Sequence, residues 1–172
     1  MFIIENERIG LRPYTHGDDH DMYMCWKDID TQKGYNGIFT DTFEQFSDYD
    51  INRFKFWVVV VDKYSNENVG VLRLGLDEVC PDLAIWIYPK YRNMGYGTVS
   101  FRLALSYIFN HYEYNEISAG CYCDNKYSMK VLHKTGFVRH PDGDETETNC
   151  FTGEKTTQMS FRIKKEDFEL LN

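Results

Sequence analysis

Residues 88–109, YPKYRNMGYGTVSFRLALSYIF, set an arginine and two glycines immediately ahead of an apolar-striped segment. Phe101, Ala104, Leu105 and Ile108 recur at helical spacing, which predicts a helix over 97–111 with one buried face. The first four amides of a helix lack partners within it. They and the helix dipole favour an anion at that end. Gly95 and Gly97 remove side chains that would hold a phosphate away, and Arg92 adds positive charge at the lip. The run before them, LAIWIYP at 83–89, reads as a strand. Strand, glycine turn and helix in that order predict a pyrophosphate site; the alternative is a turn whose glycines only relax its geometry.

Outward from this unit the periodicity changes several times. On the N-terminal side, ERIGLRP at 7–13 reads as a strand closed by Pro13. Residues 15–30 read as a helix with Thr15 and Asp18 as caps, 31–41 as a loop, and 42–54 as a second helix. KFWVVVVD at 55–62 and VGVLRLGL at 69–76 form a hairpin around SNEN at 65–68, and a turn at Pro81 leads to the strand already described. On the C-terminal side, NEISAGCYC at 115–123 reads as a strand, and Asp124 or Asn125 caps a helix that Gly136 ends. Residues 137–140 begin another strand, 141–154 form a polar loop, 156–164 alternate as a last strand, and the tail forms a short helix. Only the connection through the 97–111 helix needs to join parallel neighbours, so the predicted fold is a mixed α/β sheet rather than a doubly wound one.

The bulk numbers narrow the function. The 172 residues suit one domain, 1–172, with a real core. The net charge of −8 argues against a nucleic-acid partner and favours cationic ones. No apolar run exceeds FWVVVV at 56–61, and the opening MFIIENERIG has too short an apolar run for a signal peptide, so a soluble cytoplasmic chain with no membrane partner is expected. The five cysteines predict no disulfide framework. Cys121 and Cys123 share a strand face, but no second pair stands at zinc spacing, so no metal is expected.

Three phosphate classes fit a glycine turn. A P-loop needs G-x-x-x-x-G-K-[ST], which is absent. A dinucleotide fingerprint needs a third glycine where Ser100 stands, and a parallel sheet. The third class is coenzyme A. Arg92-x-x-Gly95-x-Gly97 resembles the acetyl-CoA signature R/Q-x-x-G-x-G/A of the GNAT superfamily of N-acetyltransferases. Asn125-x-x-Ser128, followed by Lys134-Thr135-Gly136-Phe137, resembles that superfamily's second block. ERIGLRPYTHGD at 7–18 and IWIYPKYRNMGYGT at 85–98 look most like its ribosomal-protein alanine N-acetyltransferase branch.

This resemblance, over essentially the whole chain, implies a GNAT-like fold with a V-shaped splay, made by a bulge, between strands 83–88 and 115–123. It implies acetyl-CoA as acyl-donor cosubstrate, its pantetheine arm paired with backbone near Ile85 and Ile87. The amides of Arg92, Asn93, Met94, Gly95, Tyr96, Gly97 and Thr98 would hold the pyrophosphate, and Asn125 would contact the arm or hold the slot's shape. Transfer would be direct, to an amine on a protein N-terminus or small molecule, with the Ile87 amide stabilising the oxyanion. Many members carry an acidic tyrosine one helical turn before the Gly-Phe pair; here Leu132 stands in its place. Ser128, one turn above it, is the candidate acid, with Cys123 second and water a further donor, while His133 falls beside that face. Asp82, Glu78, Asp18, Asp19 and Asp21 are the candidate bases. Tyr23, Trp26, Tyr35, Phe39 and Phe43 would line the acceptor side and suit a cationic amine. A homodimer is compatible with this reading, and a non-catalytic CoA-binding sensor or scaffold is the alternative.

Overall fold

The computed structural model describes residues 1–171. Five antiparallel strands make the first sheet, in spatial order β1 (Ile4–Glu5), β2 (Ile9–Pro13), β3 (Trp57–Asp62), β4 (Asn68–Leu74) and β5 (Leu83–Ile87). The unbroken valines of β3 follow from burial on both faces. Val58 and Val60 enter the larger core, with Leu72, Leu74 and Leu83 of the neighbouring strands, under helix α4 (Tyr96–His111). Val59 and Val61 enter a second core with Val71, Trp86 and Tyr88, covered by α1 (Asp19–Lys27) and α2 (Ile29–Gly34). A short α3 (Phe43–Ser47) follows on the same side. The predicted α4 stripe is the observed one: Phe101, Ala104, Leu105 and Ile108 are all buried.

The second sheet is built on the ten-residue strand β9 (Lys155–Lys164). Strand β6 (Glu116–Tyr122) pairs with one edge of it. Strands β7 (Val138–Arg139) and β8 (Glu145–Thr148) share the other. Between β6 and β7 lies helix α5 (Lys126–Lys134), and α6 (Lys165–Leu170) ends the described chain.

Strands β5 and β6 run parallel but meet only at their N-terminal ends. Asp82 bridges Ser118, whose amide donates to the Pro81 carbonyl at 3.0 Å and whose hydroxyl donates to Cys80. Beyond that point β5 pairs only with β4, and β6 only with β9. The expected V-shaped splay is therefore present, with its apex at Asp82. The expected bulge in 83–88 is not: β4 and β5 stay in register from Leu74–Leu83 to Gly70–Ile87, and the irregularity lies one strand away, between β3 and β4 at Val60–Val61.

Other differences have local causes. The predicted helix 15–30 breaks at Asp28, whose extended backbone and carboxylate cap α2 by accepting from the Thr31 amide. Residues 31–34, expected in a loop, are thus helical. Of 42–54 only Phe43–Ser47 is α-helical, and neither it nor the 3-10 turn at Ile51–Arg53 buries a residue. The polar stretch 141–154 contains β8, a fully exposed strand invisible to a search for alternating apolar residues.

Candidate active site

The open end of the V gathers the C-terminal end of β5, the turn 92–95, and the N-termini of α4 and α5. Sheet parity decides what β5 shows to the slot. The Asp82 carbonyl and the Tyr88 amide bond toward β4, so the backbone groups of the odd residues Ile85 and Ile87 face away from it, into the slot. Their carbonyls are in use. Tyr35 donates its hydroxyl to Ile85 at 2.6 Å, and Arg92 donates Nε to Ile87 at 3.3 Å. Their amides are left for a ligand carbonyl.

The two glycines differ in purpose. Gly95 is the N-cap of α4 and has φ of +84°, which favours a residue without a Cβ. Gly97 lies against α5: a Cβ there would come within 3.2 Å of Val131 Cγ2. The turn also places Asn93 at φ +62°. Among the described residues, the amides from Asn93 to Thr98 donate to no carbonyl or side chain; the first bond of the helix runs from Val99 to Gly95. Six free amides beside a helix N-terminus form an anion cradle.

Arg92 does not sit at the lip of that cradle as expected. Its guanidinium turns to α2, pairing with Asp28 at 2.8 Å and donating to Thr31 Oγ1 at 2.6 Å. Burial alone would raise the Asp28 carboxyl; the Thr31 amide and Arg92 together hold it below its usual value. Arg8, which sequence reasoning missed, stands at the turn instead. It donates to the Met94 carbonyl at 2.8 Å, and its guanidinium lies 4.3 Å from the Tyr96 ring centre. Tyr96 in turn donates to Asp62 at 2.7 Å, tying the head of α4 to the β3–β4 hairpin.

Across the slot, Asn125 caps α5 by accepting from the Ser128 amide at 3.1 Å. Its side-chain nitrogen lies against Gly34 at the end of α2. Ser128 is half-buried, and its hydroxyl has no hydrogen bond among the described residues. Leu132 is 3% exposed and packs in the larger core. Cys123, the second candidate acid, is exposed, and Cys121 is buried. His133, beside the Ser128–Leu132 face, is exposed and its ring meets Phe161 edge-on.

The candidate bases separate clearly. Asp18 is buried and gripped by both Arg12 nitrogens, at 2.6 and 2.9 Å; burial would raise its carboxyl, and Arg12 and Thr15 bring it below normal. Asp19 accepts from Tyr14 and contacts His16. Asp21 and Glu78 are exposed, and Asp82 is exposed at the apex of the V.

The aromatic residues form one continuous layer. Tyr35 stacks on Trp86 at 5.1 Å, Trp26 lies near both, and Tyr23, Phe39 and Phe43 extend the layer outward. Burial raises the Tyr35 hydroxyl far above its usual value, so it keeps its proton and acts as a donor to Ile85. A strap closes one side of the slot. Asn36, beside Tyr35, donates to the Thr148 carbonyl and accepts from the Cys150 amide, which lie in the β8–β9 hairpin on the β6 side. Among the described residues there is no cluster of metal-ligating side chains, and no helix is long and apolar enough to cross a membrane.

A splayed β5–β6 pair with a glycine-turn anion cradle at its open end is an acetyltransferase architecture, and comparison with known proteins agrees. Residues 8–138 match the acetyltransferase (GNAT) domain family, and the chain belongs to it. GNAT enzymes use acetyl-CoA as acyl donor. Among solved structures, a GNAT-family acetyltransferase from Bacillus anthracis is similar at 24% identity and TM-score 0.77, covering 96% of this chain and 99% of that one. A spermidine N-acetyltransferase from Vibrio cholerae, solved with CoA and spermine, is similar at 18% identity and TM-score 0.82, covering 97% and 100%.

Proposed function

We propose that this chain, acting as a single domain, transfers the acetyl group of acetyl-CoA to a primary amine by direct attack in a ternary complex. The observation that carries the reading is the pairing of two free strand-edge amides, those of Ile85 and Ile87, with the six free amides from Asn93 to Thr98. The edge suits an amide-bearing arm, and the cradle suits a pyrophosphate. The Ile87 amide donates to the developing oxyanion, which needs a donor held in place before reaction. Ser128, with its uncommitted hydroxyl near the start of α5, or water supplies the proton to the departing thiolate. Asp18 and Asp19 are committed to other partners, so the amine proton leaves to solvent or to an exposed carboxylate.

The acceptor is an amine, as the names of the polyamine-acetylating neighbours suggest. Likeness to the ribosomal-protein alanine branch rests on the motifs at 7–18 and 85–98 alone. The test is release of free thiol from acetyl-CoA across a panel of amines. Amine-dependent release supports an enzyme. Tight CoA binding with no release for any amine would instead support a CoA-binding sensor.

A further inference from the structure

Strand β4 carries one charged side chain into the aromatic layer. Arg73 is in register with Trp57 on β3 and Ala84 on β5. Its guanidinium carbon lies 4.6 Å from the ring centre of Phe54, 5.3 Å from Trp86 and 5.6 Å from Trp57. Arg12, Arg92, Arg139 and Arg162 each hold a carboxylate at 2.6 to 2.9 Å. Arg73 has no ion pair or hydrogen bond among the described residues, and its Nε is buried without an acceptor. The indole nitrogens of Trp57 and Trp86 are also buried donors without an acceptor, and Trp86 is only 5% exposed. Two orphaned indole N–H groups beside a cation whose own Nε lacks an acceptor make a layer short of acceptors, which an anion completes.

This layer adjoins the acyl slot. Tyr35 stacks on Trp86 and donates to Ile85 at the slot edge. Ala84, beside Arg73, lies three residues before Ile87, roughly 10 Å along a strand. We propose that Arg73, with the Trp57 and Trp86 indoles, is the subsite for a carboxylate on the acceptor. The acceptor is then a small amine of amino-acid type, with amine and carboxylate on one molecule. This rests on the acetyl-transfer reading. It opposes a polyamine acceptor, whose second positive charge would face Arg73. On the outer side, Tyr49 and Phe54 pack on the Trp57 ring. These rings flank the 3-10 turn at Ile51–Arg53, which buries no residue of its own, so this thin cover yields to an entering carboxylate.

The test compares free amino acids with their own amides, which differ only in the carboxylate. In ¹⁵N-labelled protein with saturating CoA, the Trp57 and Trp86 indole N–H resonances should shift saturably with the acids and not with the amides. In thiol release the acids should have kcat/KM about tenfold or more above the amides. Arg73→Gln should abolish both preferences and Arg73→Lys should retain part of them, with acetyl-CoA affinity by calorimetry unchanged in each. Equal responses to acid and amide by the wild-type chain would overturn the carboxylate subsite and need no variant to fold. Failure of the wild-type chain to bind acetyl-CoA would instead overturn the acetyl-transfer reading.

Discussion

Arg92 and Tyr35 both act on carbonyls of β5, and both contacts depend on distant parts of the chain. Arg92 spends its guanidinium on Asp28, Thr31 and Ile87. Arg92→Ala should therefore destabilise the fold by about 1.5–3 kcal/mol in urea denaturation, the range for hydrogen bonds to charged groups. Lysine should not restore it, because one ammonium cannot reproduce the fork. If Arg92→Ala left stability intact and only weakened acetyl-CoA, the guanidinium would be acting at the lip. Tyr35→Phe removes the hydroxyl that holds the Ile85 carbonyl; about 1 kcal/mol of stability should go with it. Steady-state kinetics should show kcat/KM falling about tenfold, the cost of a slightly misplaced slot edge. The sequence made Arg92 legible as a motif residue but not where its side chain goes. Tyr35 was legible as an acceptor-side aromatic but not as a donor to Ile85, and Arg8 and Arg73 carried no signal, since the hydrogen-bond partners of Tyr35 and Arg8 lie 50 and 86 positions away and Arg73 is defined by three rings from two other segments.

At the scale of elements, the α4–α5 contact sets one wall of the slot. Gly97→Ala would push a methyl to 3.2 Å from Val131, costing about 1–3 kcal/mol as overpacking. Val131→Ala in the same chain should recover most of that loss, and a thermal-unfolding cycle of the single and double variants measures it. The β7–β9 corner is sensitive to acid. Asp144 accepts from both terminal nitrogens of Arg139 and from the Ser160 amide. Arg139 first, then that amide, lower its carboxyl from 3.8 to about 2. A carboxyl lowered by folding stabilises fully above its unfolded value and loses that contribution as pH falls through its folded one. The stability gap between wild type and Asp144→Asn should therefore be constant above 3.8 and close as pH falls toward about 2, as urea unfolding at a series of pH values would show. The elements most legible in advance were those with strong internal periodicity, α4 and the β3–β4 hairpin. The α1–α2 break was not, because one cap at Asp28 outweighs a continuous polar pattern. Strand β8 was not, because an exposed strand is held by its β9 partner rather than by apolar side chains.

In the whole molecule, two sheets joined at one bridge leave a slot whose edges belong to different sheets. The Asn36 strap and the Asn125–Gly34 contact span that slot, so a ligand in it touches both halves of the chain. Binding should raise the unfolding temperature with ligand concentration, since only the folded chain has the slot. The overall acidity, −8, gives no help in holding a polyanionic donor, so the cradle's own amides must do so. The most direct test is a calorimetric titration of acetyl-CoA into the wild-type chain and into Met94→Glu. Met94 is 52% exposed in the turn and is not a glycine, so the substitution adds negative charge to the cradle without straining the backbone. We expect saturable binding by the wild-type chain, weakened about tenfold or more in Met94→Glu by like-charge repulsion. No binding by the folded wild-type chain, or equal affinity in the two, would contradict the assignment of residues 93–98 as the pyrophosphate cradle.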